Sequence, residues 1–382
     1  MIRRRIFEPE HEMFRDTVRK WAEAEVYPHS AEFRRAGMVT RDVWASAGRQ
    51  GFLAMYADPA YGGLGLDDFR FDMVLIEELA ARENGLYIPL HNRIVGPYLH
   101  RFGTDAQKRQ YLPGVVSGNT VLAIAMTEPD IGSDLAGMRT RAEDRGDHWL
   151  LNGSKTYISN GILAGLVIVA ARTGTGRHDI GLFLVPEGTA GFTRGRRLEK
   201  IGLHSQDTAE LHFENVKLPK SAVLGEPAGG FRMMMQNLAE ERLVGSNQFI
   251  AHAQRAFDIT LDYILERKAF GQTIGSFPNS RFQMAALKTK IDAGWAFVDH
   301  CAREHLDGAL TADLAAQAKL LCSEIEGEVV DACLQLHGGA GFMEEYEIGR
   351  MYCSARVSRI YAGTSEIMKE IIGRKLGLGD RG

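Results

Sequence analysis

Glu240-Glu241-Arg242 lies near the start of a proline-free run, Phe231 to Lys268, whose apolar residues recur every three or four positions. That spacing predicts one long amphipathic helix, roughly 57 Å from end to end. On its wheel Glu241 shares a stripe with Met234, Leu238 and Gly245 and lies away from the charged face. A carboxylate on a buried stripe is either half of a structural ion pair with an arginine from elsewhere or a base whose pKa burial has raised. The sequence pattern leaves both open.

Five other stretches carry polar groups at useful spacing, each with a plainer alternative. AMTEPDIGSD (125–134) offers Thr127, Ser133 and backbone N–H groups around Gly132; it can bind a carbonyl-rich ring and a phosphate, or be a polar turn. SKTYISNG (154–161) offers Tyr157 and Ser159 to a flat ligand, or is a hairpin arm with one aromatic facing the core. LHGGAGF (336–342) lacks the strand and spacing of a dinucleotide fingerprint, and no G-K-[ST] follows. It is a helix-to-helix turn that could still offer N–H groups to an anion. YAGTSEI (361–367) predicts a sharp turn at Gly363 and a cap at Thr364 or Ser365, open to an anion or an electron-rich ring. In ERKAFGQ (266–272), Arg267 either complements a helix dipole or reaches a phosphate on a neighbouring subunit.

The elements that must hold these groups fall into three regions. Residues 1–120 read as helical: a run from Pro9 to about Phe33, a short helix capped at Thr40, one from Asp67 to Gly85, one over 86–101, and one from Thr104 to Pro113-Gly114. Residues 121–230 carry short β-rich runs between turns, and Asn152-Gly153 predicts a hairpin. Residues 231–382 are helical again, with three long helices and a shorter last one after Thr364, which suggests an antiparallel four-helix bundle. The expected architecture is thus mainly α with a central antiparallel β-barrel or sandwich. At 382 residues the chain is long enough for two or three domains. A net charge of −4 gives no basic surface for nucleic acid. No apolar run reaches the ~20 residues needed to span a bilayer, and MIRRRIFEPE lacks the apolar segment of a secretory signal. Cys301, Cys322, Cys333 and Cys353 form no C-x-x-C pair and the histidines show no ligand spacing, so reduced cysteines, no metal and a cytoplasmic location are expected.

In this order the stretches resemble the acyl-CoA dehydrogenase family over nearly the whole chain. The marks are AMTEPDIGSD, KTYISNG, KIGLHSQDTAELHFENV (200–216), RKAFGQTI (267–274), LQLHGGAGF and YAGTSEIMKEIIGR. The resemblance implies bound FAD, a homotetramer built as a dimer of dimers, and conversion of an acyl-CoA to the trans-2-enoyl-CoA. A base takes the α proton, the β hydrogen leaves as hydride to the flavin, and an electron-transferring flavoprotein takes the electrons. It places Met126, Thr127, Tyr157 and Ser159 at the flavin, with Tyr157 standing where the family often has Trp. Gly132 and Ser133 fall near the pyrophosphate and the pantetheine of the substrate. Arg267 and Phe270, with Gln335, His337, Gly338 and Gly339, fall against the partner's FAD. Thr364, Ser365 and Glu366 match the last flavin-binding turn, and Arg242 an arginine near the CoA entrance.

Many members carry the catalytic glutamate directly before the Gly-Thr of that last turn. Here Ala362 occupies the position, ahead of Gly363. Isovaleryl-CoA and long-chain members place the base on the long helix, where this chain has Glu241. The N–H of Ala362 can still stabilise the developing enolate together with a flavin ribose hydroxyl. Pro278 stands where the family often has a glutamine that contacts the adenosine part of FAD. Gly245 predicts open space for an acyl chain beside Glu241. The expected substrate is a medium-to-long or branched acyl-CoA. The alternatives are an acyl-CoA oxidase, which is usually longer, and a non-catalytic FAD-binding homologue, against which Glu241 argues.

Overall fold

In the computed structural model, which describes residues 3–80 and 85–379, Pro9 begins α1 (Pro9–Glu25), where its missing N–H does no harm. The expected run to Phe33 breaks at Tyr27–His29 because Pro28 cannot donate into a helix, and α2 (Ser30–Ala36) resumes it. Thr40 stands at the N-cap of α3 (Arg41–Arg49), although its side chain makes no capping bond. The next helix, α4 (Phe69–Ala80), was expected to reach Gly85; residues 81–84 lie outside the described residues. The single helix expected over 86–101 is instead a π-helical turn, Leu90–Val95, followed by α5 (Gly96–Phe102). α6 (Asp105–Ser117) runs through Pro113 rather than ending there. Leu112 and Val115 bury its last turns, and Gly118, left-handed at φ 76°, stops it.

The middle of the chain forms one sheet from β1 (Leu122–Ala125), β2 (Arg141–Asp144), β3 (His148–Ser159), β4 (Leu166–Arg172), β5 (Ile180–Pro186), β6 (Phe192–Arg197), β7 (Thr208–Pro219) and β8 (Val223–Leu224). Its order is β6-β7-β3-β2-β4-β5-β8, and β1 joins β4. Most pairs are antiparallel, as expected. Two are not: β1 runs parallel along β4, and Arg141 of β2 meets the last residue of β4 in parallel. β5 occupies the other edge of β4, so β1 and β2 share one edge.

The expected hairpin at Asn152-Gly153 is absent. β3 passes straight through both residues, and the chain turns instead at Arg145–Asp147, where Gly146 takes φ 88° and its N–H donates to the Asp144 carboxylate at 2.8 Å. At Gly153 the ladder to β7 slips by a bulge, and a Cβ there would come within 2.5 Å of Thr140 Oγ1. Glycine serves close backbone approach at this point, not reversal. β2 and β6 were not foreseen: β2 buries only Ala142 and β6 buries no residue, so neither shows apolar alternation.

The remaining elements are α7 (Gly230–Glu266), the small ladder of β9 (Lys268–Ala269) and β10 (Gln272–Thr273), α8 (Pro278–Leu306), α9 (Ala312–His337), α10 (Glu347–Ala355) and α11 (Ser365–Lys375). α7 joins two cores. Met233 and Met234 pack with Leu99, Leu122 and Leu182, whereas Leu243, Phe249 and Ile250 pack with Ile291, Val298 and Val329 of α8 and α9. Glu241 lies between the two sets.

Candidate functional site

Glu240 and Glu241 point to different neighbours. Glu240 accepts from Arg101 at 2.6 Å and lies 3.4 Å from Arg93. Arg93 in turn holds Asp72 at 2.5 Å and Asp67 at 2.6 Å. The structural ion pair considered for Glu241 thus belongs to Glu240. Among the described residues Glu241 has no ion pair. It is 7% exposed and accepts one hydrogen bond, from the Tyr98 hydroxyl at 3.1 Å. Burial pushes its carboxyl up to about 7; the Tyr98 bond opposes the rise and the Glu240 charge adds to it. Arg242 is buried too, its Nε has no hydrogen-bond partner among the described residues, and burial lowers its pKa.

The turn after Tyr361 is tied through Lys319 to Arg242, the residue after this carboxylate. Ala362 takes φ 53° and Gly363 φ 93°, a left-handed pair that reverses the chain. Thr364 then caps α11, accepting from the Ile367 N–H at 3.4 Å, and Ser365 donates to Glu324 at 2.9 Å. Lys319 of α9 donates to the Gly363 carbonyl at 2.6 Å. Its pKa is lowered to about 8 by burial, with repulsion from Arg242 adding to the fall and attraction from Glu366 opposing it. Arg242, Lys319 and the 362–366 turn are therefore neighbours. The Tyr361 ring lies 5.8 Å from that of Phe249.

The open space expected at Gly245 is not there. A Cβ on Gly245 would approach the Phe249 ring to 3.1 Å, so an aromatic from the next turn of the same helix fills the place. Space lies instead farther along. A cleft of about 70 Å³ is lined by Leu79, Tyr87, Gln248, His252, Glu326 and Tyr361, among others. Tyr87 couples it to Glu241, whose charge raises the Tyr87 pKa after the larger effect of burial.

A second group forms where the loop after β1 meets β3. Lys155, fully buried, donates to the Met126 carbonyl and to Glu128, both at 2.9 Å. The Thr156 N–H donates to the Thr127 carbonyl at 3.0 Å. Met126 and Thr127 are thereby fixed beside Tyr157 and Ser159. Burial alone would raise the Glu128 carboxyl, but Lys155 and the amides of Arg139 and Thr140 hold it below its usual value. Tyr157 is 69% exposed at φ 59°, so its ring stands outward from a left-handed backbone. Gly132 and Ser133 are exposed, with nothing near the Gly132 Cα.

The third group sits at the far end of α7. Arg267 leaves the helix in an extended conformation, and Phe270 is 94% exposed at φ 51°. His337 stacks on Tyr263 with ring centres 4.3 Å apart, and its Nδ1 lies 2.9 Å from the Cys333 carbonyl. Gln335, Gly338 and Gly339 are exposed beside it. Pro278 is the first residue of α8. Sequence reasoning missed Tyr98, Tyr87, Lys155 and Lys319. Only Lys155 falls inside a stretch singled out for its pattern, and the partners of Tyr98 and Lys319 lie 143 and 44 positions away.

Three family models match the chain: the acyl-CoA dehydrogenase N-terminal domain over 8–119, middle domain over 123–216 and C-terminal domain over 228–377. The long-chain specific acyl-CoA dehydrogenase of Sus scrofa is 45% identical over 98% of this chain and 88% of its own. The isovaleryl-CoA dehydrogenase of Oryza sativa subsp. japonica is 34% identical over 97% of this chain and 92% of its own. The crystal structure of an acyl-CoA dehydrogenase from Geobacillus kaustophilus superimposes with a TM-score of 0.96 at 44% identity, covering 98% of this chain and 100% of that one. Matched along almost its whole length in sequence and in fold, the chain belongs to the acyl-CoA dehydrogenase family, whose members carry out FAD-dependent acyl-CoA dehydrogenation.

Proposed function

We propose that this chain oxidises a medium-to-long or branched acyl-CoA to the trans-2-enoyl-CoA, with Glu241 as the base. The observation that carries the reading is a buried carboxylate without an ion pair among the described residues, pushed up to about 7 by burial. Glu241 takes the proton from the α carbon, and the electrons of that bond form the new C=C. FAD, when bound, accepts the β hydrogen with its electron pair. The Ala362 N–H holds the thioester carbonyl as charge develops on it, and bound FAD would supply a second donor from its ribose. Arg242 stands at the CoA entrance, and Ser133 and Gly363 contact the substrate.

The residues fit a flavin. Tyr157 offers an outward aromatic face, Thr127 and Ser159 offer hydroxyls, and the exposed Gly132 and Ser133 leave bare backbone for a pyrophosphate. Thr364, Ser365 and Glu366 close the ring site at the N-terminus of α11, which favours an electron-rich group. Arg267, Phe270, Gln335, His337, Gly338 and Gly339 lie at the other end of α7, ~39 Å from Glu241 at 1.5 Å per residue. They serve the FAD of a second copy, which pairs two chains, and two such pairs form the homotetramer, a dimer of dimers, each chain divided into domains near residues 120 and 230. An electron-transferring flavoprotein takes the electrons. The reading keeps the cytoplasmic location expected from the cysteine pattern, whereas the two curated relatives are named mitochondrial. No described helix is long and apolar enough to cross a membrane.

The names of the relatives support the substrate range, since one is long-chain specific and the other acts on isovaleryl-CoA. The test is an anaerobic titration of the purified flavoprotein with acyl-CoAs of increasing length and branching, followed by flavin absorbance. Bleaching is expected with the longer or branched chains. Absence of bleaching with every chain refutes the reading. Glu241→Gln is expected to keep FAD and lose bleaching, and full activity in that variant removes Glu241 as the base.

A further inference from the structure

The cleft that Tyr87 links to Glu241 carries hydrogen-bond acceptors in its wall rather than a purely apolar lining. Gln248 and His252 follow Glu241 at seven and eleven positions along α7, on the same helix face. They lie about 10 and 16 Å from it along the axis. His252 Nδ1 is 2.7 Å from Glu326 Oε1, which ties α7 to α9. Glu326 Oε2 and Gln248 Oε1 are both buried and have no hydrogen-bond partner among the described residues. Glu326 is 3% exposed, and it and Gln248 both line the cleft. Tyr87, which feels the Glu241 charge, and Tyr361, which feels that of Glu326, line it too. Two further polar residues there are engaged: Ser354 accepts from the Leu203 N–H at 3.0 Å, and Ser358 donates to the Ala355 carbonyl at 2.8 Å.

A buried acceptor left without a donor is unfavourable, and two lining one cleft select a ligand that brings a donor. An unbranched alkyl tail brings none. It would displace water from both acceptors and leave them bare. We infer that the cleft is built for an acyl chain bearing a hydroxyl in its distal half, the hydroxyl donating to Glu326 Oε2 with Gln248 Oε1 as the neighbouring acceptor. This rests on the proposed acyl-CoA dehydrogenation and names its substrate class more narrowly. His252 acts as a positioning residue, holding the other oxygen of Glu326 so that Oε2 stays turned to the cleft.

The test compares kcat/KM for palmitoyl-CoA with that for its mid-chain and terminally hydroxylated analogues, in the wild-type holoenzyme and in Gln248→Leu and Glu326→Gln. The wild type is expected to favour at least one hydroxylated chain by roughly tenfold or more, as sites built to bind a hydroxyl do. Each variant is expected to bring that ratio towards one, and circular dichroism with the flavin-to-protein ratio shows that it is folded and loaded. Gln248→Leu leaves the His252–Glu326 pair intact and so guards against misfolding of the other variant. A wild-type ratio of one or less for every hydroxylated isomer overturns the inference, as does a ratio unchanged in both variants. If palmitoyl-CoA bleaches the flavin under those outcomes, dehydrogenation stands and only the hydroxyl preference falls. If no acyl-CoA bleaches it, both fall together.

Discussion

Two adjacent carboxylates, Glu240 and Glu241, meet opposite environments because a helix turns ~100° between them. Glu240 is neutralised by Arg93 and Arg101, whereas Glu241 meets apolar side chains and one phenol. Truncating one partner of a buried ion cluster leaves the others uncompensated. Glu240→Ala is therefore expected to destabilise the fold by about 3–5 kcal/mol in chemical denaturation. Glu241→Gln should act in the reverse direction. Its carboxyl titrates near 7 when folded and near its ordinary value when unfolded, so folding above pH 7 bears the full penalty of a buried charge. That penalty falls as pH drops through 7 and is gone below the unfolded pKa. The variant should be more stable than wild type by up to roughly 3 kcal/mol at pH 8 and indistinguishable near pH 4. Stopped-flow flavin reduction in the wild type should rise about tenfold per pH unit up to about 7 and then level off, because only the ionised base takes a proton.

At the scale of elements, the site depends on how loops are tied to strands and helices. Lys155 joins the loop after β1 to β3 through Met126 and Glu128, and burial lowers its pKa to about 8. Lys155→Met should strand the buried Glu128 carboxylate, lower stability by about 3–5 kcal/mol and release FAD more readily, measured by denaturation and by flavin fluorescence. This tie was not legible in the chain. Lys155 sits in KTYISN with no signal that separates it from a surface lysine in a strand, and its partners are 27 and 29 positions away. Asn152-Gly153 misled for a related reason. The pair is a strong local turn signal, but β3 has strands to join on both sides, and ladder hydrogen bonds along β2 and β7 outweigh the turn preference of two residues. Where the signal was local and uncontested, it held: Thr364 caps α11 and Thr104 caps α6.

For the whole molecule, the length of α7 sets the problem. A helix of 37 residues carries Glu241 near one end and delivers Arg267 beyond the other, too far apart to hold the same ring. Phe270, almost wholly exposed at a left-handed φ, and Phe342, 80% exposed, mark that far end as an incomplete surface. Phe270→Ala with Arg267→Ala is expected to weaken FAD retention while leaving the fold and the Glu241 site intact, read from the flavin-to-protein ratio and from mass in light scattering. A fully flavinylated, unchanged assembly in that double variant would dismiss the shared site.

The sequence by itself determined the α–β–α order, the long helix and the chemistry offered by each polar stretch, because periodicity, caps and glycine turns act over a few residues. It also placed Glu241 on a buried stripe. Only the tertiary structure decided that Arg93 and Arg101 neutralise Glu240 and leave Glu241 its Tyr98 bond, that Phe249 fills the place beside Gly245, and that the free space runs on to Gln248 and Glu326. Each of those facts depends on side chains brought together from distant positions or on how they pack within a turn. Burial and pairing are properties of the packed interior, and local pattern does not encode them.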